Sequence, residues 1–419
     1  MVYDPVAKET QFALFQDVEV RYEKSIALED NTALFPYSPK NNLIRNEVVL
    51  FPSRAEEYGS DEELIQDIKD FLHSYVDLTP LFESISSYYV LFSWIYDSFR
   101  ELPYLRVIGD TGSGKTRFLL TVGSLCYKPI FASGASTVSP IFRILDIFHG
   151  TLIIDEGDFR MSDEKAEIVK ILNNGNAKGF PVLRSETVKG KEFNPKGYNV
   201  FGPKLVATRG YFQDNALESR CITEEMGQRK LREDIPINLT DEHMQKALQL
   251  RNKLLMFRFR NFGKRDINPD LAIEGVEARL NQVFIPLLSV IEDEKARAEL
   301  KSIAKEYHKQ IVSDRGMEME AQVLETIRKL FGMREEPTIK EITSHFIENH
   351  GNDYERKITP KWIGSIIRRK LKIKTEKRRE GFVIPRSEIE KLERLYEKYG
   401  VSEMDKSQDY SQYGENSTY

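Results

Sequence analysis

The chain has 419 residues, of which 40% are apolar and 30% charged, and its formal net charge is −5. This length predicts two or three domains of roughly 100–200 residues each, and the slightly acidic balance excludes a uniformly basic nucleic-acid coat. No stretch approaches the roughly 18 consecutive apolar residues of a membrane-spanning helix. Met1–Gln11 lacks the apolar run of a secretory signal, and Cys126 and Cys221 alone support neither a disulfide framework nor a zinc site. We therefore expect a cytoplasmic protein without a membrane partner.

Residues 1–60 mix short apolar alternations with Pro, Asn and Asp, which predicts short strands to which we assign no function. Residues 61–235 begin with helical spacing and continue with short apolar runs that alternate with helical patterns. That alternation is typical of a mostly parallel sheet flanked by helices, an α/β domain. Residues 236–316 show helical spacing without strand signals and predict an all-helical bundle. The strands predicted in the α/β domain are Leu105–Ile108, Pro129–Ala132, Leu152–Asp155, Lys204–Ala207 and Cys221–Glu224.

A glycine-rich octapeptide, Gly109–Thr116, follows the first of these strands and precedes the helical pattern Arg117–Leu125. This strand–loop–helix context is that of a loop that binds phosphates. Glycines let successive N–H groups converge on the phosphates, a lysine adds positive charge, and a threonine hydroxyl suits Mg²⁺. The alternative is a glycine-rich turn with a chance lysine. The residues predicted to bind ATP are Gly109, Asp110, Thr111, Gly112, Ser113, Gly114, Lys115 and Thr116, with Lys115 also assigned to catalysis and Thr116 to the metal.

The apolar segment Thr151–Glu156 ends in two carboxylates. Because the carboxyl ends of strands in an open α/β sheet border the ligand crevice, these acids are expected near the loop. Asp155 is predicted to hold Mg²⁺, and Glu156 is predicted to orient the attacking water, since phosphoryl transfer needs a positioned nucleophile and neutralised oxygens. The alternative is a strand end with solvated acids.

These motifs resemble the AAA+ superfamily of P-loop ATPases. Leu205–Arg209 looks like the strand that carries a polar sensor of the γ-phosphate, and Asp214–Arg220 looks like the following box that ends in an arginine finger. The resemblance implies that Thr208 is the sensor and Arg220 the finger. An arginine supplied from outside a site can offset charge on the transferred phosphoryl group. The alternative for Arg220 is a surface arginine at a helix end.

A closer resemblance is to AAA+ helicase-like ATPases of phages and plasmids that accompany primases or primase-polymerases. It is carried by Ile171–Gly175, Val182–Arg184, Phe201–Ala207 and Leu217–Ile222. The resemblance implies an ATPase that acts on DNA and forms a ring, which we expect to be a hexamer. In such a ring the arginine finger of each copy completes the nucleotide site of its neighbour. A primase or primase-polymerase is the implied partner protein.

An insertion, Gly175–Pro203, separates the acidic strand from the sensor strand, and its segments Phe180–Leu183 and Lys189–Phe193 predict a hairpin. In ring motors of this resemblance such an insertion faces the central channel, where basic side chains contact a nucleic-acid backbone. An exposed basic loop without a ligand is the alternative. The candidate contacts are Lys178, Arg184 and Lys189, with Lys191, and Arg251 and Arg258 in the helical bundle are candidates for a second sensor.

Residues 317–395 predict three helices and a hairpin, the order of a winged helix-turn-helix, with Thr338 and Thr359 as helix N-caps. From Lys357 to Arg379 ten Lys and Arg face one acid, a net charge of +9. Such a block suits DNA phosphates, although a protein-docking module with a solvated basic face is the alternative. The predicted DNA contacts are Lys361, Arg368, Arg369, Lys370, Lys377 and Arg378. Residues 396–419 are predicted to form a disordered tail.

Taken together, the sequence predicts an AAA+ P-loop core with an all-helical lid and a C-terminal winged helix. The expected activity is ATP hydrolysis with Mg²⁺ that drives movement along DNA, most simply by a replicative helicase of a mobile element. The alternative is a DNA-bound AAA+ switch for transposition or replication initiation that hydrolyses ATP without unwinding. A protein remodeller is a third class, which the basic C-terminal block disfavours.

Overall fold

A computed structural model describes residues 1–30, 32–133, 136–155, 163–187, 193–212, 214–218, 220–228, 231–264, 267–291, 294–316, 319–351 and 358–401. The chain forms two compact units, Met1–Lys305 and Glu306–Tyr419. Each unit has its own hydrophobic core. Across the described parts of both units, none of the helices has the length and apolar character that crossing a membrane requires.

The first unit opens with small antiparallel sheets. Three strands pair in the order β1 (Val2–Asp4), β2 (Glu9–Gln16) and β3 (Glu19–Glu23), and two short strands, β4 (Ile26–Ala27) and β5 (Ala33–Leu34), form a second pair. After the short helix α1 (Asn42–Arg45), Val49 forms an antiparallel bridge with Ile130. The N-terminal segment is therefore attached to the edge of the main sheet through this bridge.

The main sheet has five parallel strands in the order β12-β6-β11-β8-β7. Every residue of the neighbouring strands β6 and β11 is buried, as expected for central strands that are covered on both faces. The five strands predicted from the sequence are confirmed, and the predicted α/β core is a parallel sheet flanked by helices. Their bounds are β6 Tyr104–Ile108, β7 Ile130–Ser133, β8 Leu152–Asp155, β11 Lys204–Thr208 and β12 Cys221–Glu225.

Helices cover both faces of this sheet. On one face, Gly123 of α4 lies so close to β8 that an added Cβ would come 2.4 Å from Ile153 Cδ1. On the other face, α6 packs against both α5 and α7 around a core that includes Phe142, Ile171 and Val206. A capping box between Ser60 and Glu63 begins α2. The helices are α2 Asp61–Tyr75, α3 Pro80–Trp94, α4 Lys115–Leu125, α5 Val138–Phe148, α6 Asp163–Asn174 and α7 Asn215–Glu218.

The insertion between β8 and β11 contains the predicted hairpin, formed by β9 (Val182–Thr187) and β10 (Phe193–Tyr198) in antiparallel pairing. The sequence prediction placed both strands too early in the chain. The reason is tertiary: Val182 and Tyr198 pair with each other and are buried, and the Tyr198 ring lies 4.6 Å from that of Phe142. Burial of this pair sets the register, which local alternation does not reveal. Residues 188–192, including Lys189 and Lys191, lie outside the described residues.

Three helices follow the sheet: α8 (Asp241–Asn261), α9 (Ala278–Val290) and α10 (Glu294–Gly316). Helix α8 packs against α2, α3 and α4, and its Asn252 accepts a hydrogen bond of 2.9 Å from the backbone of Ser53. The segments predicted as 1–60, 61–235 and the first part of 236–316 thus belong to one compact unit.

The second unit contains α11 (Met319–Phe331), α12 (Ile339–His350) and α13 (Pro360–Ser365), which continues as a π-helical turn, Ile366–Lys370. The predicted short hairpin follows as β13 (Glu376–Arg378) and β14 (Gly381–Val383). The predicted N-caps are also observed, with the side chains of Thr338 and Thr359 each accepting a backbone N–H.

Within the described residues of the second unit, the last helix is α14 (Ile389–Tyr399). It continues beyond residue 396, where the sequence predicted the tail to begin, because Tyr396 is buried in the core of this unit. The remainder of the predicted tail, residues 402–419, lies outside the described residues.

Candidate nucleotide-binding site

The glycine loop lies at the carboxyl edge of the main sheet, between the end of β6 at Ile108 and the start of α4 at Lys115. Gly112 and Gly114 have φ values of +84° and +96°, which side chains of L-residues rarely adopt. At Gly109 the constraint is space, because an added Cβ would lie 2.7 Å from the carbonyl oxygen of Met226. The sequence therefore uses glycine where the loop needs an unusual turn or a close backbone approach.

Helix α4 presents positive charge toward this loop. Its N-cap is Gly114, which has no side chain to occupy the N–H groups of the first turn. The Lys115 ammonium donates to the carbonyl oxygens of Gly109, at 2.6 Å, and Asp110, at 2.7 Å. The charge is thus held over the loop, where it adds to the positive end of the helix dipole. The geometry suits a phosphate group.

The side chains of Thr116 and Asp155 meet at the same edge. The hydroxyl of Thr116 donates to a carboxylate oxygen of Asp155 over 2.7 Å, although the two residues are 39 positions apart. Asp155 ends β8, which lies next but one to β6 in the sheet. The sequence prediction that these two side chains share a site is consistent with this contact.

A hydroxyl and a carboxylate are hard oxygen ligands of the kind that Mg²⁺ prefers, and Mg²⁺ usually takes only one or two protein carboxylates beside phosphate oxygens and waters. The parts of the chain that the structure describes contain no group of three or more His, Cys, Asp or Glu that could hold a metal by itself. The donors Thr116 and Asp155 therefore fit a Mg²⁺ ion that arrives with a phosphate.

Thr208 ends β11 directly beside the loop. It pairs with Ile108, and its carbonyl oxygen accepts the N–H of Gly109 at 3.3 Å. The side chain is buried, and its Oγ1 has no hydrogen-bond partner among the described residues; the same is true of Ser113 Oγ within the loop. A buried hydroxyl without a partner is costly in a dry site. Both hydroxyls are therefore buried donors beside the loop that have no partner among the described residues.

Glu156, the predicted water-orienting residue, lies outside the described residues. Its role stays a prediction.

Arg220 lies at the opposite edge of the sheet. Its carbonyl oxygen accepts the N–H of Tyr104, the first residue of β6, whereas the loop follows the last residue of that strand. At about 3.3 Å per residue, the length of β6 separates Arg220 from Gly109 by roughly 16 Å. Its guanidinium donates to the side-chain oxygen of Asn173 at the end of α6. Arg220 is therefore not part of the loop site of its own chain.

The second-sensor candidates also lie away from the loop. Arg251 is buried and donates to the carbonyl oxygen of Ser124 at 2.8 Å, near the far end of α4, and burial lowers its pKa to about 10. Arg258 forms an ion pair of 2.7 Å with Asp97 and stacks on the ring of Tyr127. Within the described residues, both cations contact helix ends and neighbouring side chains away from the loop, and their role as a second sensor stays a prediction.

Two of the predicted nucleic-acid contacts lie near the hairpin within the described residues. Lys178 donates to the carbonyl oxygen of Asp97 and is 5.5 Å from the ring centroid of Phe201. Arg184, on β9, forms an ion pair of 3.1 Å with Glu167 of α6. Both cations remain partly accessible.

The six predicted contacts in the second unit are all exposed. Arg368 lies over the ring of Phe382, Lys370 pairs with Glu320 at 3.3 Å, and Arg378 pairs with Glu376 at 2.7 Å. Three cations form no hydrogen bond or ion pair within the described part of the chain: Lys361, Arg369 and Lys377. The predicted contacts thus include cations that are paired within this unit and three, Lys361, Arg369 and Lys377, that have no such partner among the described residues; we call these three the uncommitted cations.

Two features of the site were not anticipated from the sequence. Met226 and Gly227 close over the loop, and an added Cβ on Gly227 would lie 3.0 Å from Ser113 Cβ. Arg106, inside the strand that leads into the loop, is completely buried and pairs with Glu218. The only signal for the second feature was a charged residue within an otherwise apolar strand.

No family model and no curated protein matches this chain. Among solved structures, the chain is similar to the C-terminal region of NrS-1, with 14% identity over 92% of this chain and 84% of that chain, at a TM-score of 0.37. It is also similar to SCCmec type IV Cch, described as an active helicase, with 13% identity over 91% and 78% of the two chains, at a TM-score of 0.37.

A third similarity is to the RuvB Holliday junction branch migration motor of Thermotoga maritima, with 13% identity over 80% of this chain and 95% of that chain, at a TM-score of 0.21. At these identities and TM-scores the similarities carry no argument about function. The chemistry of the site rests on its own residues.

Proposed function

We propose that this chain is an ATP-hydrolysing motor of the AAA+ kind that acts on DNA. The observation that carries the proposal is the 2.7 Å hydrogen bond between Thr116 and Asp155. It joins the first turn of the helix after a glycine loop to the carboxyl end of a second strand. The fold brings these two side chains together from positions that are distant in the sequence. A Mg²⁺–phosphate site needs both the hydroxyl and the carboxylate.

Each residue of this edge has a proposed role. The backbone N–H groups of Gly109–Thr116 and the Lys115 ammonium bind the β- and γ-phosphates. Thr116 and Asp155 hold Mg²⁺, which when bound neutralises charge on the phosphate oxygens. The free hydroxyl of Thr208 donates to the γ-phosphate, and Glu156 orients the attacking water. The site would supply positioning and electrostatic stabilisation, the two contributions on which phosphoryl transfer depends.

The position of Arg220 supports a shared site. Its guanidinium lies at the amino edge of the sheet, and the loop lies at the carboxyl edge. If Arg220 acts as an arginine finger, it serves the nucleotide of a neighbouring copy. Such head-to-tail contacts generate closed rings when the rotation closes, and we propose a hexamer.

The uncommitted cations of the second unit support DNA as the partner. Lys361, Arg369 and Lys377 are exposed on α13, on the π-helical turn that continues it and on the hairpin of the second unit. Together with Lys178, Arg184 and Lys189 of the insertion, they would bind phosphates and make binding depend strongly on salt. We propose a replicative helicase of a mobile element, for which a primase or primase-polymerase is the expected partner.

The test of the ATPase site compares three variants by nucleotide binding and by phosphate release. Asp155→Asn and Glu156→Gln should still bind ATP but hydrolyse it at least about 100-fold more slowly, since each removes a group used in the transition state. Lys115→Ala should lose binding as well. Asp241→Asn, at an exposed helix start, is the matched control. If Asp155→Asn hydrolyses ATP at the wild-type rate, the proposal fails.

Strand displacement then separates the helicase from the alternative, a DNA-bound switch. The helicase should separate a forked duplex only with hydrolysable ATP. A switch should bind DNA and hydrolyse ATP but release no strand.

A further inference from the structure

Arg106 is an unusual residue for the strand that leads into the glycine loop. The other four residues of β6 are apolar or aromatic, and the Arg106 side chain has no exposed surface. Its guanidinium donates to both carboxylate oxygens of Glu218, one of them at 2.6 Å, and to the hydroxyl of Thr223. The ring centroids of Phe212 and Tyr211 lie 4.8 and 5.3 Å from the guanidinium carbon. Every side of this cation has a contact.

Stability alone does not account for such a pair. Moving two charges out of water costs several kcal/mol per ion, and well-packed apolar residues of similar volume are often about as stable. A bidentate arginine–carboxylate contact does fix direction, because both groups are planar and bond in one geometry. The pair is therefore better explained by what it holds in position.

The pair holds the segment between Thr208 and Arg220. Glu218 ends α7, and Arg220 follows two positions later. The same Glu218 carboxylate accepts the N–H of Phe212 at 2.9 Å. Arg106 is thus linked through one carboxylate to the backbone of Phe212 and to the end of α7, two positions before Arg220.

A second set of contacts completes the attachment at Arg220. The side chain of Asp214 accepts the N–H of Leu217 at 3.2 Å, which fixes the start of α7. The amide of Asn173 donates to Asp214 at 2.7 Å, and its oxygen accepts the guanidinium of Arg220. The orientation of Arg220 is therefore set by contacts within its own chain.

We propose that Arg106 is a positioning residue for Arg220. Through Glu218 it fixes the segment that carries the finger to β6, so that the guanidinium of Arg220 is presented to the nucleotide of a neighbouring copy. This role rests on the proposed function, because it requires a finger shared between copies. Strand β6 would then have two functions. It leads into the nucleotide loop of its own copy, and it holds the arginine finger that acts on the next copy.

The test uses the double variant Arg106→Met/Glu218→Met, which replaces the ion pair with apolar side chains of similar length. Alone, it should bind ATP like wild type and hydrolyse it at least about 100-fold more slowly, since arginine fingers contribute on the order of 10³–10⁵ in rate. It is then mixed with Lys115→Ala, whose own site is inactive and whose Arg220 is intact. Hydrolysis should recover at least about tenfold in the mixture, because the intact finger completes the site of the double variant.

A purely structural defect in β6 would damage the double variant's own loop, and no neighbour could restore it. The reference is Arg220→Ala mixed with Lys115→Ala. If that reference recovers activity and the double variant does not, or if the double variant alone hydrolyses ATP at the wild-type rate, Arg106 is not a positioning residue. If the reference itself fails to recover, the shared finger of the proposed function is wrong, and this role falls with it.

Glu218→Gln keeps the side-chain volume and removes only the charge, so it serves if the double variant does not fold. A partial loss of rate that Lys115→Ala subunits restore supports the proposal. No loss, or a loss that these subunits do not restore, overturns it.

Discussion

At Thr208, the side chain that would be best for stability differs from the one that we propose for catalysis. The threonine is buried beside the glycine loop, and its Oγ1 has no hydrogen-bond partner within the described residues. Burying an unpaired hydroxyl costs about 1–3 kcal/mol. Because Thr208 lies beside the glycine loop, a bound nucleotide is the partner that we propose for this hydroxyl.

Thr208→Val tests this explanation. The substitution preserves shape and removes the unpaired hydroxyl, so the melting temperature should stay the same or rise. The hydrolysis rate should fall about tenfold or more, the effect of removing one hydrogen bond made in the transition state. The measurements are thermal unfolding and steady-state phosphate release.

The matched control is Thr151→Val. Thr151 is also buried with an unpaired Oγ1 in the described structure, but it precedes β8 at the opposite edge of the sheet. It should raise or preserve the melting temperature without changing the rate. Equal rates for Thr208→Val and wild type would exclude Thr208 as the sensor.

Lys204 is a buried lysine that should make the stability of the protein depend on pH. It begins β11, is fully buried, and its ammonium donates to the carbonyl oxygens of Val200 at 3.0 Å and Gly202 at 2.8 Å. Burial lowers its pKa from 10.5 to about 7. Above pH 7 the folded protein therefore releases a proton that the unfolded chain still binds.

The sign follows from linkage. Because the unfolded state holds more protons between these two pKa values, the free energy of unfolding of wild type should rise with pH relative to Lys204→Met. Each pH unit contributes about 1.4 kcal/mol, so the difference between the two proteins should change by up to about 4 kcal/mol between pH 7 and pH 10. Urea unfolding measures it. Lys264→Met, at an exposed lysine, should show no such change, and a constant difference for Lys204→Met would contradict the lowered pKa.

At the scale of elements, the sequence predicts best what local pattern determines. The five core strands and the glycine loop were predicted because buried parallel strands are continuous apolar runs, and the turns between them need glycine. The contact between Thr116 and Asp155 was accessible to prediction as well, since the carboxyl ends of parallel strands share one edge.

The hairpin register and the buried ion pair could not be predicted in this way. The hairpin is set by burial of Tyr198 against α5, and Arg106 meets Glu218 across 112 positions. Neither contact leaves a periodic trace in the sequence. The edge at which Arg220 lies likewise depends on where β12 pairs with β6.

The π-helical turn after α13 and the hairpin β13–β14 carry the cations that we expect to bind DNA. Arg369 and Lys377 are exposed without a partner in the described structure, whereas Arg378 is paired with Glu376 and Glu336. If this surface binds phosphates, Arg369→Gln and Lys377→Gln should each weaken binding. Each should also reduce the slope of log affinity against log salt by about 0.9 for duplex DNA.

Fluorescence anisotropy with a labelled duplex at several salt concentrations measures this slope. Arg378→Gln should change the slope less, because its charge is already neutralised. Lys340→Gln, an exposed cation on α12, is the control for net charge. Slopes that do not change in Arg369→Gln and Lys377→Gln would favour a protein-docking role for this unit.

At the scale of the whole molecule, the two halves of the proposed catalytic site lie on opposite edges of one sheet. Lys115, Thr116 and Asp155 lie at the carboxyl edge, and Arg220 at the amino edge. A two-fold dimer places the same surface patch of each copy against the other. It can therefore bring the carboxyl edge of one sheet to the amino edge of the other only if a single patch includes both edges. A head-to-tail assembly joins them directly, and each copy then contributes to two sites.

The double variant Lys115→Ala/Arg220→Ala tests this arrangement, because such a subunit lacks both its own loop chemistry and the finger for its neighbour. When it is mixed with an equal amount of wild type, the rate per wild-type subunit should fall by about half, since half of the wild-type sites then face a subunit without a finger. Lys115→Ala alone retains Arg220 and should leave that rate nearly unchanged. Subunits that do not share sites would instead hydrolyse ATP at a constant rate per wild-type copy in both mixtures, and that result would remove the ring from the proposed function while leaving the nucleotide site in place.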